Sequence, residues 1–188
     1  MTRPTIFARP VSAALKGVIL AGLALTALLA PLATTDARAN AAGGASGLPL
    51  PRYVSLKSEK VYMRVGPGRE YRIEWMYLKR GLPMEVIQEY DTWRKVRDSE
   101  GNEGWILHSL LSGDRTAIIA PWEKGGEYVA MRKAPSGTGD LVARVEPGVV
   151  ATVAACRNGW CELRARGARG YVEQNRIWGV YPDESFDK

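Results

Sequence analysis

The sequence predicts an all-β mature protein, folded as two tandem small barrels that follow a cleaved N-terminal signal peptide. Two observations lead to this prediction. Many short runs of strand-forming residues are separated by turn signals, and the second half of the chain repeats the first. Short strands at this spacing are typical of a small barrel or sandwich. Beyond the N-terminal leader, no window has a long helical period.

The repeat is visible in residues that recur about 67 positions apart. Each copy holds a Met-Arg pair, a proline, a glycine, a tryptophan, an aliphatic residue, a Gly-aromatic pair and a closing aliphatic residue. The first copy has Met63-Arg64, Pro67, Gly81, Trp93, Val96, Gly104-Trp105 and Leu110, and the second has Met131-Arg132, Pro135, Gly148, Trp160, Leu163, Gly170-Tyr171 and Ile177. We therefore expect two copies of one module, which is more typical of binding than of catalysis.

Residues 1–39 have the parts of a secretory signal peptide. Three basic residues precede an uncharged apolar run over 18–30, and Ala37-Arg38-Ala39 supplies the small side chains that signal peptidase accepts. The apolar run is shorter than the roughly 20 residues that a membrane span needs. We expect cleavage after Ala39 and a periplasmic or secreted mature protein. An uncleaved N-terminal anchor is the alternative.

The charge of the mature chain argues against nucleic acid as a partner. The full sequence has 26 basic and 20 acidic residues, of which the leader holds four and one. The mature net charge is therefore +3 instead of the +6 of the full sequence. Nucleic-acid binding requires a concentrated basic patch. We expect neither nucleic-acid binding nor membrane contact after the leader is removed.

Turn signals divide the mature chain into segments. Residues 40–52 are predicted to be a flexible linker, 53–113 the first module, 114–181 the second module and 182–188 a tail. The first module has predicted strands over 53–56, 61–65, 73–78, 84–90, 93–97 and 103–107, followed by a 3₁₀ turn over 108–112. The second has predicted strands over 116–120, 128–132, 141–145, 149–155, 160–165 and 168–173, closed by a turn over 175–178. Modules of this size have small cores, so we expect them to pack together.

Cys156 and Cys161 are predicted to form a disulfide across one hairpin. Between them, Asn158-Gly159 is the strongest short signal for a type I′ turn, which would place the two cysteines directly opposite one another. An oxidising location permits the bond. A redox-active or metal-binding pair is the alternative, but the C-x-x-C spacing is absent, and the only histidine, His108, lies in the other module.

The first module has an ion pair where the second has the disulfide. A shift of 67 residues places Glu89 at the position of Cys156 and Arg94 at the position of Cys161. We therefore expect an opposite-charge pair across the equivalent strands.

Aromatic residues supply the candidate binding site. Strand alternation places Val96 and Leu163 in the core, so Trp93 and Trp160 are predicted to lie on the solvent-facing side. Exposed aromatic residues favour a ligand surface. The alternative is that each tryptophan caps a barrel end or packs against the neighbouring module. The ligand-binding candidates are Tyr62, Arg64, Tyr71, Trp75, Trp93, Trp105, Trp160 and Tyr171.

These motifs resemble those of the bacterial Src-homology-3 (SH3) domain family. Residues 61–68 (VYMRVGPG) are similar to its opening apolar-x-Arg-x-Gly-Pro segment, 93–96 to its Trp-x-x-Val strand, and 101–106 to its Gly-x-x-Gly-Trp-Val strand. The second module departs further, because Ala134-Pro135-Ser136 replaces Gly-Pro-Gly and Tyr171 replaces the tryptophan. The resemblance extends over about residues 53–180.

The resemblance implies two SH3-like barrels of five strands that serve as targeting modules. It implies a non-enzymatic binding or scaffold protein, with peptidoglycan or an envelope peptide or protein as its partner. By likeness to the family, the ligand groove would be lined by Tyr62, Trp93 and Trp105, in the first module. An accessory to a cell wall hydrolase, or a remnant of one, is the alternative.

The residues themselves do not favour catalysis. Wall hydrolysis needs a cysteine–histidine pair, a metal cluster or paired acids in a cleft. The predicted disulfide joins both cysteines, and a lone histidine cannot build the usual zinc site. We expect no catalytic residues, no metal and no cofactor.

Overall fold

The computed structural model describes residues 44–187 and consists of β-strands joined by turns. The first barrel contains β1 (Arg52–Leu56), β2 (Val61–Arg64), β3 (Ile73–Tyr77), β4 (Pro83–Tyr90), β5 (Trp93–Arg97), β6 (Glu103–Leu107), a 3₁₀ turn (His108–Leu110) and β7 (Leu111–Ser112). The second contains β8 (Thr116–Ile119), β9 (Val129–Arg132), β10 (Leu141–Val145), β11 (Val150–Arg157), β12 (Trp160–Ala165), β13 (Ala168–Glu173), a 3₁₀ turn (Gln174–Arg176), β14 (Ile177–Trp178) and β15 (Phe186–Asp187).

The two halves have the same strand order, which confirms the predicted pair of barrels. The first sheet runs β3-β2-β6-β5-β4-β1-β7 and the second β10-β9-β13-β12-β11-β8-β14, with β15 added beside β11. Every predicted strand is present, with ends that differ by at most two residues. Strands β7, β14 and β15 were not predicted. Within residues 44–187, no helix has the length and apolar character that crossing a bilayer requires.

Each barrel has its own hydrophobic core. Val61, Met63 and Val96 are fully buried in the first core, and Met131, Leu163 and Val172 are fully buried in the second. In the repeated Met-Arg pair, the methionine points into the core and the arginine points outward, because successive side chains of a strand lie on opposite faces. Val96 and Leu163 are both core residues, as predicted.

The repeated arginine fastens the long loop that leaves its strand. Arg64 Nη1 donates a hydrogen bond to the carbonyl oxygen of Tyr71 at 2.6 Å, and Arg132 Nη1 donates to the carbonyl oxygen of Gly139 at 2.8 Å. Both bonds bridge seven residues of sequence. The arginine therefore recurs because each barrel must hold the same loop against the same strand.

The disulfide hairpin matches its prediction. Asn158 and Gly159 have φ angles of 51° and 79°, as a type I′ turn requires. Cys156 lies directly opposite Cys161, and Arg157 lies opposite Trp160. A disulfide joins the cysteines, whose Cα atoms are 4.1 Å apart, and both side chains are buried in the core.

The predicted ion pair is present at the equivalent place in the first barrel. Glu89 lies opposite Arg94, and Arg94 Nε is 3.0 Å from Glu89 Oε1. Arg52 also reaches Glu89 Oε1, at 2.6 Å, and Ser46 donates to the carboxylate through both its backbone N–H and its hydroxyl. Burial alone would raise the pKa of Glu89, but the hydrogen bonds from Ser46 and Arg52 outweigh it and lower the pKa to about 2.

The two terminal segments differ from the flexible linker and tail that the sequence predicts. Residues 44–52 lie against the first barrel, where Ser46 binds Glu89 and Leu50 packs against the core. At the other end, β15 pairs with β11, with Phe186 opposite Cys156. Arg115 fixes this segment through two hydrogen bonds of 2.8 Å to the Glu184 carboxylate. The predicted signal peptide lies outside the described residues.

The barrels pack against one another through aromatic side chains, as expected from their small cores. The Tyr53 ring of β1 meets the Trp178 ring edge-on, with 5.2 Å between centroids, and lies 4.7 Å from the Tyr181 ring. The Tyr181 hydroxyl donates to Glu85 Oε1 at 3.1 Å. Burial, and then the nearby carboxylates of Glu85 and Glu184, raise the pKa of Tyr53 to about 12.

The disulfide should contribute measurably to stability. We predict that reduction of the protein lowers the free energy of unfolding by about 2 kcal/mol, because the bond restricts the unfolded chain. The value lies at the low end of the usual range since the closed loop is very short. Urea unfolding with and without dithiothreitol measures this difference. The Cys156→Ala/Cys161→Ala variant serves as the control, since dithiothreitol should leave its midpoint unchanged. An unchanged midpoint for the reduced wild-type protein would contradict the prediction.

Glu89 should make the stability of the protein depend on acid pH. The folded state holds the pKa of Glu89 below its ordinary 4.5, so its contribution is complete above pH 4.5 and is lost as the pH falls towards 2. We predict that Glu89→Gln costs about 3 kcal/mol at pH 7, because Arg52 and Arg94 lose a buried counter-ion. The variant should also have a flatter dependence on pH over this range. Urea unfolding from pH 2.5 to pH 7 tests both effects, with the exposed Glu146→Gln as the control.

Candidate functional site

Three depressions adjoin the side chain of Trp160, which begins β12 in the second barrel. Their volumes are about 610, 420 and 210 Å³, and Trp160 lines all three. We call their combined surface the Trp160 groove. Trp160 itself is partly buried, so one part of the indole is held by the barrel and another part remains accessible.

Strand register brings the walls of the 420 Å³ depression together. Arg157 lies opposite Trp160, and Tyr171 lies opposite Glu162, so side chains of β11, β12 and β13 share one face. Pro135, from the loop after β9, completes the aromatic and apolar part of this wall. The second barrel thus presents an indole, a phenol ring and a proline ring around one cavity.

The smallest depression is more polar. Glu127, Tyr128, Arg132, Glu173 and Arg176 line it together with Trp160. Arg132 holds the loop carbonyl of Gly139, and Arg176 Nη2 is 2.7 Å from Glu123 Oε1. Glu173 lies directly opposite Trp160 and is exposed. This side of the indole therefore faces charges of both signs.

The largest depression lies where the two barrels meet. Tyr53 of the first barrel lines it together with Trp160, Trp178 and Pro182 of the second. The buried Gln174 also lines it, and its Nε2 donates to the carbonyl oxygens of Tyr181 and Glu184 at 2.7 and 3.1 Å. Gln174 Oε1 has no hydrogen-bond partner among the described residues. This oxygen is buried, and the two hydrogen bonds from Nε2 fix the side chain beside the depression.

The first barrel corrects the prediction that both repeated tryptophans face solvent. Trp93 and Trp105 lie on the outer side of their sheet, but each is only 9 % exposed. Tyr62 and Arg64 are partly buried, and Tyr71 and Trp75 are exposed. The Tyr71 ring covers Gly66, because a Cβ atom on that glycine would lie 2.4 Å from the ring. Among the candidate residues, Trp160 and Tyr171 line the groove, and the ligand-binding role of all eight stays a prediction.

A row of three residues across the sheet distinguishes the two tryptophans. Trp93 lies opposite Leu107, and the pairing of Arg64 with Trp105, continued by two residues, places Tyr62 on the other side of Leu107. The same row in the second barrel is Ala130, Glu173 and Trp160. Tyrosine and leucine supply apolar cover, whereas alanine and glutamate leave open space and a carboxylate. This difference agrees with the exposures, since Trp93 is buried and Trp160 only partly so.

Several residues of the groove were absent from the predicted site. They are Tyr53, Pro135, Arg157, Glu162, Gln174 and Trp178. The exchange of Tyr62 for Ala130 was visible in the repeat and could have indicated which tryptophan is open. No local signal in the sequence places Gln174 or Tyr53 at the groove, because both arrive through packing between distant segments.

The comparison with protein families agrees with this architecture. The family model of the bacterial SH3 domain matches residues 57–113 and 125–179, more than half of the chain. Among proteins with curated functions, none matches the sequence. Two solved structures from Trichomonas vaginalis are similar over 68 % of the chain: NlpC2, with 13 % identity and a TM-score of 0.31, and NlpC1, with 16 % identity and a TM-score of 0.30.

The chain spans about half the length of those two proteins, 48 % of NlpC2 and 45 % of NlpC1. The two matched segments of the family model correspond to the two barrels, and each begins just before the strand that carries the Met-Arg pair. The chain therefore belongs to the bacterial SH3 domain family, and it carries two copies of this domain in tandem.

Proposed function

We propose that the protein is an exported, non-enzymatic binding or scaffold protein whose ligand occupies the Trp160 groove. The observation that carries the proposal is the position of Trp160, which is partly buried at the meeting point of three depressions. An indole in this setting offers a large rigid surface and one N–H donor to a ligand. Tyr171, Pro135 and Trp178 extend the apolar surface on either side of it.

The chemistry of the groove suits peptidoglycan as the ligand. Short wall peptides carry amino and carboxylate groups, and the rim of the groove holds Glu173 and the ion pair of Arg157 with Asp187. The mature net charge of +3 favours an anionic wall weakly. An extended peptide of an envelope protein is the second candidate, because it could pack on the same rings.

Binding without turnover is consistent with the reactive groups of the described residues. The disulfide joins both thiols, so neither is available as a nucleophile. No group of three metal-ligating side chains occurs among residues 44–187. His108 is exposed on a 3₁₀ turn of the first barrel. If the protein acts beside a wall hydrolase, or descends from one, we propose that it supplies the recognition and not the chemistry.

The proposed location is the periplasm or the exterior. A disulfide persists in oxidising compartments and is uncommon in the cytosol, which favours export. We propose no cofactor and no nucleic-acid partner.

Co-sedimentation with purified sacculi tests the proposed site. We predict that Trp160→Ala weakens binding by at least about tenfold, because loss of a central aromatic anchor commonly has an effect of this size. Trp122→Ala is the matched control: it removes an exposed tryptophan of the same barrel that lines none of the three depressions. Equal loss in both variants would contradict a site at Trp160.

The same assay separates the two ligand classes and the enzymatic alternative. Binding to sacculi that disappears when the wall peptides are removed identifies the peptide stems as the ligand. If wild-type protein fails to sediment at low salt but captures an envelope peptide through Trp160, the second candidate is correct. Soluble wall fragments released by the purified protein would overturn the non-enzymatic assignment.

Exchange of the cover residues between barrels provides a second prediction. We expect Ala130→Tyr to close the space beside Trp160, because tyrosine occupies that position in the barrel whose tryptophan is covered. Sacculus binding should fall about tenfold, and the indole N–H of Trp160, observed in a ¹⁵N spectrum, should exchange more slowly with solvent. Ala130→Ser is the control, since it keeps the side chain small. Unchanged binding together with slower exchange would show that this side of the indole is not used.

A further inference from the structure

One row of charged side chains in the first barrel holds an arginine between two carboxylates. Arg97 of β5 lies directly opposite Glu85 of β4 on one side and Glu103 of β6 on the other. Its Nε and Nη2 donate to Glu103 Oε1 at 3.0 and 2.8 Å, and its Nη1 donates to Glu85 Oε2 at 3.2 Å. Hydrogen bonds from Lys95 and Arg97 lower the pKa of Glu103, so this row stabilises a carboxylate.

The equivalent row of the second barrel contains neither carboxylate. Arg164 of β12 lies directly opposite Thr152 of β11 on one side and Arg169 of β13 on the other. We call these three residues the arginine row. The register shifts of β4 and β11 lie beyond both rows, so the members of each row are direct neighbours on one face. A row of one arginine and two glutamates in the first barrel is therefore a row of two arginines and a threonine in the second.

The arginine row includes a contact between like charges. Arg164 and Arg169 are directly opposite one another, an arrangement that destabilises a sheet. Arg169 donates through Nε to Glu162, whereas Arg164 forms no hydrogen bond or ion pair with another residue of 44–187. In the first barrel the corresponding diagonal pair, Lys95 with Glu103, has its charges in the opposite order. The reversed order in the second barrel is what places a cation beside Arg164.

A depression of about 540 Å³ adjoins the arginine row. All three members of the row line it, together with two carboxylates, Glu162 and Asp187. Each of these carboxylates already has a cationic partner, since Glu162 pairs with Arg169 and Asp187 pairs with Arg157. Arg164 is exposed, and it is the one cation lining this depression that has no partner among the described residues.

We infer that the arginine row binds one carboxylate group of a ligand, which takes the role that glutamate has beside Arg97 in the first barrel. Two guanidinium groups can donate to one carboxylate, and charge-assisted hydrogen bonds of this kind are the strong ones. The Thr152 hydroxyl adds a donor where Glu85 is only an acceptor. Glu162 and Asp187 would repel an anion of higher charge, so the depression suits a carboxylate better than a phosphate.

The arginine row lies beside the Trp160 groove, but its role does not require a ligand there. Trp160, Glu162 and Arg164 follow one another along the outer face of β12. Ala155, Glu162 and Asp187 line both this depression and the 420 Å³ depression of the groove. Four strand residues span about 13 Å. The carboxylate of a short extended peptide is therefore a ligand group that could reach Arg164 from the indole.

Arginine side-chain ¹⁵N spectra of the purified protein test the inference. The probe is N-acetyl-alanyl-alanine, which has one terminal carboxylate, added at constant ionic strength. We expect the Nε–H signals of Arg164 and Arg169 to shift and to saturate with a dissociation constant in the millimolar range. The amidated peptide should cause no shift, and inorganic phosphate should bind more weakly. Absence of a shift with the carboxylate, or an equal shift with the amide, overturns the inference. Tighter binding of phosphate overturns the assignment to a carboxylate.

Two substitutions in the arginine row should weaken binding of the probe. Arg164→Gln should weaken it about tenfold, because a charge-assisted hydrogen bond is lost. Thr152→Glu should have a similar effect, because it supplies the carboxylate that Glu85 supplies in the first barrel. The same variant should raise the urea midpoint, since the new side chain pairs with Arg164. Full binding by either variant overturns the inference.

The matched control is Arg166→Gln, which removes an exposed arginine of the turn after β12 that does not line the depression. We expect it to bind the probe as the wild-type protein does. A loss equal to that of Arg164→Gln would indicate general attraction to positive charge and would overturn the site. The signals are local to Arg164 and Arg169, so the result is independent of whether sacculi bind at Trp160.

Discussion

In each barrel the first hairpin joins the rest of the sheet where two backbones approach closely. In the first barrel β2 meets β6 through the pairing of Arg64 with Trp105, and in the second β9 meets β13 through the pairing of Arg132 with Tyr171. Gly104 and Gly170 make this approach possible. A Cβ atom on either would lie 2.8 or 2.7 Å from the carbonyl oxygen of the facing arginine. The Met-Arg and Gly-aromatic motifs recur because they form the two sides of this single contact.

The two barrels use different cross-strand interactions at the same structural position. The β4–β5 hairpin of the first barrel is held by an ion pair across its strands, and the equivalent β11–β12 hairpin of the second barrel by a disulfide. A terminal segment approaches each pair: Ser46 binds the carboxylate of Glu89, and Phe186 pairs with Cys156. In each barrel, therefore, the strand that carries this pair is also contacted by a terminal segment of the described residues.

Local patterns were sufficient to predict most of the fold. The strands, the type I′ turn, the disulfide and the Glu89–Arg94 pair all depend on residues close in sequence or on strand alternation. Alternation also assigned Trp93 correctly to the outer side of its sheet. It could not reveal that Trp93 is covered, because cover depends on a row of side chains from three strands. The groove was missed for the same reason, since Tyr53 and Trp178 meet only when the two barrels pack.

The shared wall at Tyr53 links recognition to the arrangement of the barrels. A molecule bound in the 610 Å³ depression would contact β1 of one barrel and the last turns of the other at once. Its binding free energy would then add to the stabilisation that the aromatic contacts give to the packed barrels. Occupancy would restrict changes in the angle between the two barrels.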